Sequence, residues 1–161
     1  MRLGALLATV AIVQAVALLG HPGDHTTITV RFVDARNGKP YTLYRGPWQI
    51  HLFRADPTGK SPTRAYMKAN DMGTIRVFSD ANGKAAFTLP SPIPAVIWFE
   101  SPLGCSHESF DAIEVVEKGI VGKNECRTKF AKEHNKFQAT PGEIIYLVAP
   151  LSFWERHPLI R

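Results

Sequence analysis

The stretch TTITVRFVD, residues 26–34, alternates polar and apolar residues and consists mostly of β-branched and aromatic residues. The alternation places Ile28, Val30 and Phe32 on one face. A period of two with this composition is typical of a strand that buries one face. The pair Asn37-Gly38 follows and readily takes the positive φ angles of a tight turn. The stretch therefore predicts a fold built from paired strands.

Five further segments carry the same signals, namely residues 48–53, 74–78, 85–89, 95–99 and 143–148. Residues 79–84, SDANGK, join two of them as a hairpin turn. In residues 48–53 the apolar side chains face one way, so we expect Trp48 in the core. The run AVIWF, residues 95–99, is short and continuously apolar, which predicts a strand buried on both faces and a core position for Trp98. About six short strands separated by turns predict an all-β sandwich.

One helix is predicted over residues 111–118. Asp111 is a suitable N-cap, Glu114 stands three residues later as in a capping box, and Gly119 supplies the exit. The stripe expected to be buried consists of Phe110, Ile113, Val116 and Ile120. We expect loops over residues 56–70 and 123–136, and the tail repeats a capping-box pattern from Ser152 to Glu155.

The N-terminal residues predict export. One basic residue, Arg2, precedes an apolar run over residues 3–20, which is the order of parts in a secretory signal. Cleavage would follow Ala17 or Gly20. The run is also close to the ~20 residues that span a bilayer, so an uncleaved membrane anchor is the alternative. Either outcome places the rest of the chain outside the cytoplasm.

Cys105 and Cys126 are the only cysteines. In an oxidising compartment such a pair predicts a disulfide, whose loop of about 22 residues would contribute roughly 3 kcal/mol. The alternative is a metal site, which would need further ligands such as His107 or His134.

The charge balance argues against nucleic-acid binding. The chain has 161 residues, with 19 basic and 14 acidic ones and a net charge of +5. Its densest basic stretch, from Lys118 to Lys136, also contains Glu125 and Glu133. Nucleic-acid binding would favour a basic stripe or a known module. We interpret the charge as ordinary solubility, with weak attraction to acidic polymers or anionic membranes as an alternative.

The order of motifs is similar to that of the carboxypeptidase regulatory-like and transthyretin-like domains. The segments that carry the resemblance are VRFVD (30–34), NGKP (37–40), SDANGK (79–84), FTLP (87–90) and VIWF (96–99). The resemblance covers residues 28 to about 100, with 143–148 as a closing strand, and residues 101–140 depart from the pattern. It implies a Greek-key sandwich of about seven strands, of a kind that usually binds, spaces or stabilises and in most cases is not catalytic.

Candidate chemistry is sparse. Asp80-Ala-Asn-Gly83 could begin a calcium loop, but position 12 is Ser91 and not an acid, so we interpret it as a hairpin turn. Cleavage after Gly20 would expose His21 as an N-terminal residue that, with His25 nearby, could chelate copper. That alternative needs a partner histidine among His51, His107, His134 and His157. No common catalytic motif occurs, and we expect no cofactor and no enzymatic activity.

The aromatic residues outside the strands are the better candidates for contact. Tyr41, Tyr44 and Tyr66 lie in or near loops. In the tail, Phe153, Trp154 and Arg156 could dock on a partner or a membrane, or the tail could fold back and plug one end of the sandwich. We expect ligand contact from the loop 54–73 or from the tail 151–161.

These expectations combine into a domain plan and a function. Residues 1–20 are a signal or anchor, residues 26–150 a β-sandwich with a helical, disulfide-closed insertion at 101–140, and residues 151–161 a tail. The expected function is a non-catalytic module, secreted, periplasmic or on the cell surface, with a protein or polysaccharide partner and no nucleic acid. One alternative is a subunit of an envelope assembly that pairs through an edge strand or the tail. The other is a secreted copper enzyme.

Overall fold

The computed structural model describes residues 26–55, 64–101, 103–106, 108–125 and 136–149, whose strands pair into two four-stranded sheets. In chain order the elements are β1 Thr27–Asp34, β2 Trp48–Phe53, α1 Arg64–Asn70, β3 Asp71–Val77, β4 Lys84–Thr88, β5 Val96–Glu100, β6 Ser109–Asp111, α2 Ala112–Lys118, β7 Ile120–Val121 and β8 Glu143–Val148.

The strand orders are β4-β1-β8-β7 in the first sheet and β3-β2-β5-β6 in the second. Strand β1 is antiparallel to β4 but parallel to β8, with Thr29 opposite Glu143 and Asp34 opposite Val148. The three pairings of the second sheet are antiparallel. The all-β sandwich is therefore confirmed at the level of two packed sheets.

The core lies between the sheets and is supplied by the alternating faces that the sequence predicts. Ile28, Val30 and Phe32 of β1 are fully buried, and Trp48 of β2 is 2% exposed. Phe32 stacks on Trp48 with ring centroids 4.2 Å apart. Such a pair stabilises the fold by about 0.5–1.5 kcal/mol beyond the area that it buries.

A second, smaller core covers the outer face of β8. Ile145 and Leu147 alternate with inward-facing residues and pack with Val33, Ala35 and Cys105. The partly buried residues against this cluster are Val121, Phe137, Ala139 and Ala149. Residues between 101 and 140 therefore shield a sheet face that water would otherwise reach.

The described parts of residues 101–140, expected as a helical insertion, also contribute strands. Strand β6 joins the second sheet and β7 the first, so this segment contributes strands to both. It also contacts β8 directly, because the Leu147 carbonyl accepts from Cys105 N at 2.9 Å and the Leu147 N–H donates to Ser106 Oγ at 2.6 Å. Short strands of three and two residues carry too little periodicity for the sequence to predict them.

Helix α2 confirms its predicted capping, since Asp111 Oδ1 accepts from the Glu114 N–H at 2.8 Å. Its expected apolar stripe is partly wrong. Ile113 is 56% exposed, whereas Ala112 and Val115 are fully buried. The cap fixes the start of the helix, but the strand β6 immediately before it sets the rotation that decides which face is buried.

Two other local expectations need correction. Residues 64–70, expected as part of a loop, form helix α1, whose Tyr66 ring packs edge-on against Phe53 with centroids 5.5 Å apart. Trp98, expected in the core, is only half-buried and lies on the outer face of β5. Its neighbours Ile97 and Phe99 are fully buried.

The structure describes only one of the two cysteines of the predicted disulfide. Cys105 is buried and is not a free thiol. Cys126 lies outside the described residues, so the pairing with it stays a prediction. The same holds for the signal or anchor at 1–20 and for the tail. None of the helices in the described part of the chain has the length and apolar character needed to span a bilayer.

Candidate functional site

A cavity of about 310 Å³ opens where β2 begins and β5 ends. Its lining combines aromatic, aliphatic and polar residues, namely Tyr44, Pro47, Trp48, Gln49, Glu100, Ser101 and Leu103. We call it the end cavity, because Trp48 stacks on Phe32 near the last residues of β1. Its size is at the lower limit of ordinary ligand pockets, which run from about 300 to 1,000 Å³.

The loop from Tyr41 to Pro47 forms one wall of the end cavity. Tyr41 N donates to the Phe32 carbonyl at 2.9 Å, and the Arg45 carbonyl accepts from Ser79 N at 2.8 Å. Gly46 has φ +116, and an added Cβ would lie 2.6 Å from the Val77 carbonyl oxygen. A glycine is therefore required for the loop to pack this closely against the end of β3.

Trp48 brings an unpaired donor to this wall. Its side chain is buried, and Nε1 has no hydrogen-bond partner among the described residues. Cδ1, which is bonded to Nε1, would lie 3.2 Å from a Cβ at Gly46, so this edge of the indole faces the loop that lines the cavity. Leaving a buried donor unpaired costs about 1–3 kcal/mol. An acceptor supplied by a bound group would recover that cost.

Three exposed apolar side chains lie in or beside the loop that forms this wall, and we call them the apolar rim. Leu43 is 76% exposed, Phe78 67% and Tyr44 39%. The hydrogen bond between Ser79 N and the Arg45 carbonyl places Phe78 beside this loop. Single exposed apolar residues are ordinary, but three of them in adjoining segments, one of which lines a cavity, favour an interaction site.

Polar residues continue the site onto the outer face of the second sheet. Gln49 lies directly opposite Glu100 in the sheet. Glu100 Oε2 accepts from His51 Nε2 at 3.0 Å, and His51 Nδ1 lies 2.9 Å from Thr74 Oγ1. Trp98 flanks the imidazole with ring centroids 5.1 Å apart. Because Thr74, His51 and Trp98 are register partners on adjacent strands, the sheet alone accounts for their contact.

The buried hydroxyl of Tyr146 lies against Gly104, next to Leu103 of the cavity lining. Burial, reinforced by the charge of Glu108, raises the pKa of Tyr146 well above its usual range. The group is therefore a neutral phenol at neutral pH. A Cβ added at Gly104 would collide with this hydroxyl, so the backbone passes directly over it.

A second groove, of about 340 Å³, lies near the other end of β1. It runs between the edge strands β3 and β4 and is lined by Leu52, Met72, Gly73, Thr74, Ile75, Thr88, Leu89 and Pro90. Leu89 N donates to the Thr26 carbonyl at 2.9 Å, so the segment before residue 26 joins the domain beside this groove. The two openings thus lie toward opposite ends of the sandwich.

Asp80, weighed from the sequence as the start of a calcium loop, uses its carboxylate within the hairpin turn. Asp80 Oδ1 accepts from the backbone N–H groups of Lys84 and Asn82, both at 2.8 Å. Hydrogen bonding to the N–H of Lys84 first, and to Asn82 as well, holds the pKa of Asp80 below its usual range. The carboxylate therefore caps its own hairpin turn, as Asx turns do.

Most of the site residues predicted from the sequence fall outside the described part of the chain. These are Cys126, His21, His25, Phe153, Trp154 and Arg156, and the copper alternative lies there with them. Among the described residues no three His, Cys, Asp or Glu side chains are grouped to hold a metal. In the loop 54–73, residues 64–70 form α1 and 71–73 belong to β3, while 56–63 lie outside the description.

The sequence did not predict the end cavity and its rim, although Tyr44 is one of the aromatic residues expected in or near loops. One signal was available. Leu43 and Tyr44 are two adjacent apolar residues inside a loop with glycine and proline, where no strand or helix period can bury them. Phe78, placed before Ser79-Asp80, is a similar case. That these segments meet could not be deduced, because it depends on the approach of Gly46 to β3.

The comparisons with known proteins leave the family open. No protein-family model matches the chain, and no curated protein matches it either. Among solved structures, the full-length major pilin SpaD from Corynebacterium diphtheriae is similar at 15% identity, with a TM-score of 0.35. The alignment covers 78% of this chain, which spans 30% of the length of that pilin. At this identity and score the likeness carries no argument about function.

Proposed function

We propose that this protein is an exported, non-catalytic β-sandwich module that recognises a protein partner through the end cavity and the apolar rim. The observation that carries the proposal is the exposure of Leu43, Tyr44 and Phe78 in segments beside a cavity that contains the unpaired Trp48 N–H. Aliphatic and aromatic side chains around a partly polar pocket favour a protein surface, which supplies both apolar anchors and carbonyl acceptors.

The path of the chain supports this role. The N-terminal segment joins at Thr26, and the cavity lies near Phe32, roughly 20 Å away at the ~3.3 Å rise of a strand. A segment that tethers or exports the chain from one end therefore leaves the other end free to meet a partner. Placement in the periplasm, outside the cell or on its surface is part of the same proposal.

The transthyretin-like relationship also belongs to the proposal. Two four-stranded sheets in which the first and last strands pair in parallel support the arrangement that the motif order implies. In that case the domain acts as a binding or spacing module, consistent with the absence of a common catalytic motif in the sequence.

Capture from the native envelope tests the proposed function. We expect the wild-type protein to retain a partner that the double variant Leu43→Ser/Phe78→Ser loses, because both side chains are largely exposed in the free protein. Ile113→Ser is the matched control, since Ile113 is 56% exposed on α2, outside the apolar rim. Equal capture by all three proteins, each melting at the same temperature, would argue against the apolar rim as the interface.

A further inference from the structure

The C-terminal tail leaves the domain at the edge of the end cavity. Strand β8 ends at Val148, which forms a bridge with Gly104, and Ala149 N donates to the Leu103 carbonyl at 2.8 Å. Leu103 is itself part of the cavity lining. We propose that residues 150–161 bind in the end cavity and over the apolar rim of the same chain, as an intramolecular ligand that a partner must displace.

The length of the tail permits this. An extended chain covers at most ~3.3–3.6 Å per residue, so residue 154 lies within about 17 Å of Ala149. Because Ala149 is hydrogen-bonded to Leu103 of the cavity lining, Phe153 and Trp154 need only cross the opening of the cavity. The seven residues that remain, 155–161, are enough to extend over the rim.

The chemistry of the two surfaces is complementary. Leu151, Phe153 and Trp154 supply apolar side chains that could cover the exposed apolar rim. A cavity of about 310 Å³ can also hold a large aromatic ring. A backbone carbonyl of the tail would give the Trp48 N–H its missing acceptor. The tail carries two arginines against one acid, and the cavity lining includes the half-exposed carboxylate of Glu100.

This inference rests on the proposed function, because it assigns an occupant to the same surface, and it adds regulation. A short flexible link gives an effective concentration of about 1 mM. If the isolated tail binds with a Kd of ~10 µM, the attached tail weakens any competitor at the same surface about a hundredfold. A partner would bind only if it exceeds that competition or if the tail is removed.

The test measures binding of a fluorescently labelled synthetic peptide of residues 150–161 by anisotropy, with the exported protein in its full mature length. Wild type should bind the peptide about a hundredfold more weakly than the variant Phe153→Ser/Trp154→Ser, whose own tail no longer competes. Adding Leu43→Ser/Phe78→Ser to that variant should abolish binding, and adding Ile113→Ser should leave it unchanged. Adding Glu100→Gln should weaken it severalfold.

Two results would overturn the proposal. One is a Phe153→Ser/Trp154→Ser variant that binds the peptide no better than wild type does. The other is wild type that binds the peptide tightly and elutes as a concentration-dependent dimer, which would assign the surface to the tail of a second copy. Failure of the proposed function would look different: the peptide experiment would succeed, while capture from the envelope would be insensitive to Leu43→Ser/Phe78→Ser.

Discussion

Replacing Arg36 with alanine should destabilise the protein in a way that depends on pH. Arg36 Nε and Nη2 donate to the two oxygens of Asp34 at 2.9 and 2.6 Å, and the Arg36 backbone N–H donates to Oδ1 at 2.9 Å. The Asp34 side chain is 8% exposed at the end of β1, and that of Arg36 is 50% exposed. Arg36→Ala removes both guanidinium hydrogen bonds to Asp34 but keeps the hydrogen bond from the backbone N–H of residue 36.

The magnitude follows from this geometry. Hydrogen bonds to a charged group contribute about 1.5–3 kcal/mol. Because half of the Arg36 side chain is in solvent, screening reduces the contribution, and we expect Arg36→Ala to lower the free energy of unfolding by about 1–2 kcal/mol at pH 7. For a domain of this size the melting temperature should fall by roughly 3–8 °C.

The sign of the pH dependence comes from the carboxyl. Burial alone would raise the pKa of Asp34, but the hydrogen bonds and charge of Arg36 outweigh it and hold that pKa below its usual range. A carboxyl with a lowered folded-state pKa contributes stability that is complete above the unfolded-state value of about 3.9 and is lost as pH falls through the folded-state value. The difference between wild type and Arg36→Ala should therefore be full at pH 6 and shrink below about pH 4.

Urea unfolding at several pH values measures both quantities. Lys39→Ala, in the same turn but exposed, is the control and should change stability by less than about 0.5 kcal/mol. A loss for Arg36→Ala that is equal at pH 6 and pH 3, or no larger than that of the control, would refute the role assigned to the pair.

Three further predictions concern the segment that follows Ser101. Gly104→Ala should cost about 1–3 kcal/mol, because the new Cβ collides with the Tyr146 hydroxyl, and an unchanged near-ultraviolet circular dichroism spectrum and melting temperature would contradict this. Ser106→Ala leaves the buried Leu147 N–H without its acceptor and should cost a similar ~1–3 kcal/mol in urea unfolding, whereas wild-type stability would show that another acceptor replaces it. Cys105 and Cys126 should resist alkylation until the protein is reduced, and a free thiol at either position, found by mass spectrometry, would exclude the pairing.

The strands could be predicted because their signal is local. The alternation in residues 26–34 depends only on which residues a pleated strand turns inward, and Ile28, Val30 and Phe32 are buried as expected. The exposure of Trp98 could not be predicted in this way. Its strand is continuously apolar, so the sequence cannot tell a strand covered on both faces from one whose outer face stays partly open.

The corrections in α1 and α2 have one cause, which is tertiary contact. Residues 64–70 have a weak helical pattern after a run rich in proline and glycine, and they fold against Phe53 through Tyr66. In α2 the cap was predictable, but the exposure of Ile113 depends on how β6 joins the second sheet. Neither contact can be predicted from the pattern of residues that are neighbours in the sequence.

The candidate site was the least predictable part, because residues far apart in the chain form it. Tyr44, Glu100 and Leu103 meet at the end cavity only because segments far apart in the chain fold together. The sequence did single out the tail aromatics and the prospect that they plug one end of the sandwich. It could not show which end of the sandwich the tail would cover, or that the buried Trp48 N–H has no acceptor among the described residues there.

The direction of β8 decides whether the tail can reach the end cavity. The residues of β8 are apolar on both faces, and that composition is the same whichever way the strand runs beside β1. In the parallel pairing Asp34 lies opposite Val148, so the chain enters the sheet at Thr27 and leaves it at the other end, next to Leu103. An antiparallel β8 would release the tail beside Thr26, roughly 20 Å from the cavity at the rise of a strand. A tail that competes at the end cavity is therefore a consequence of this single pairing, and the peptide experiment tests the pairing together with the proposal.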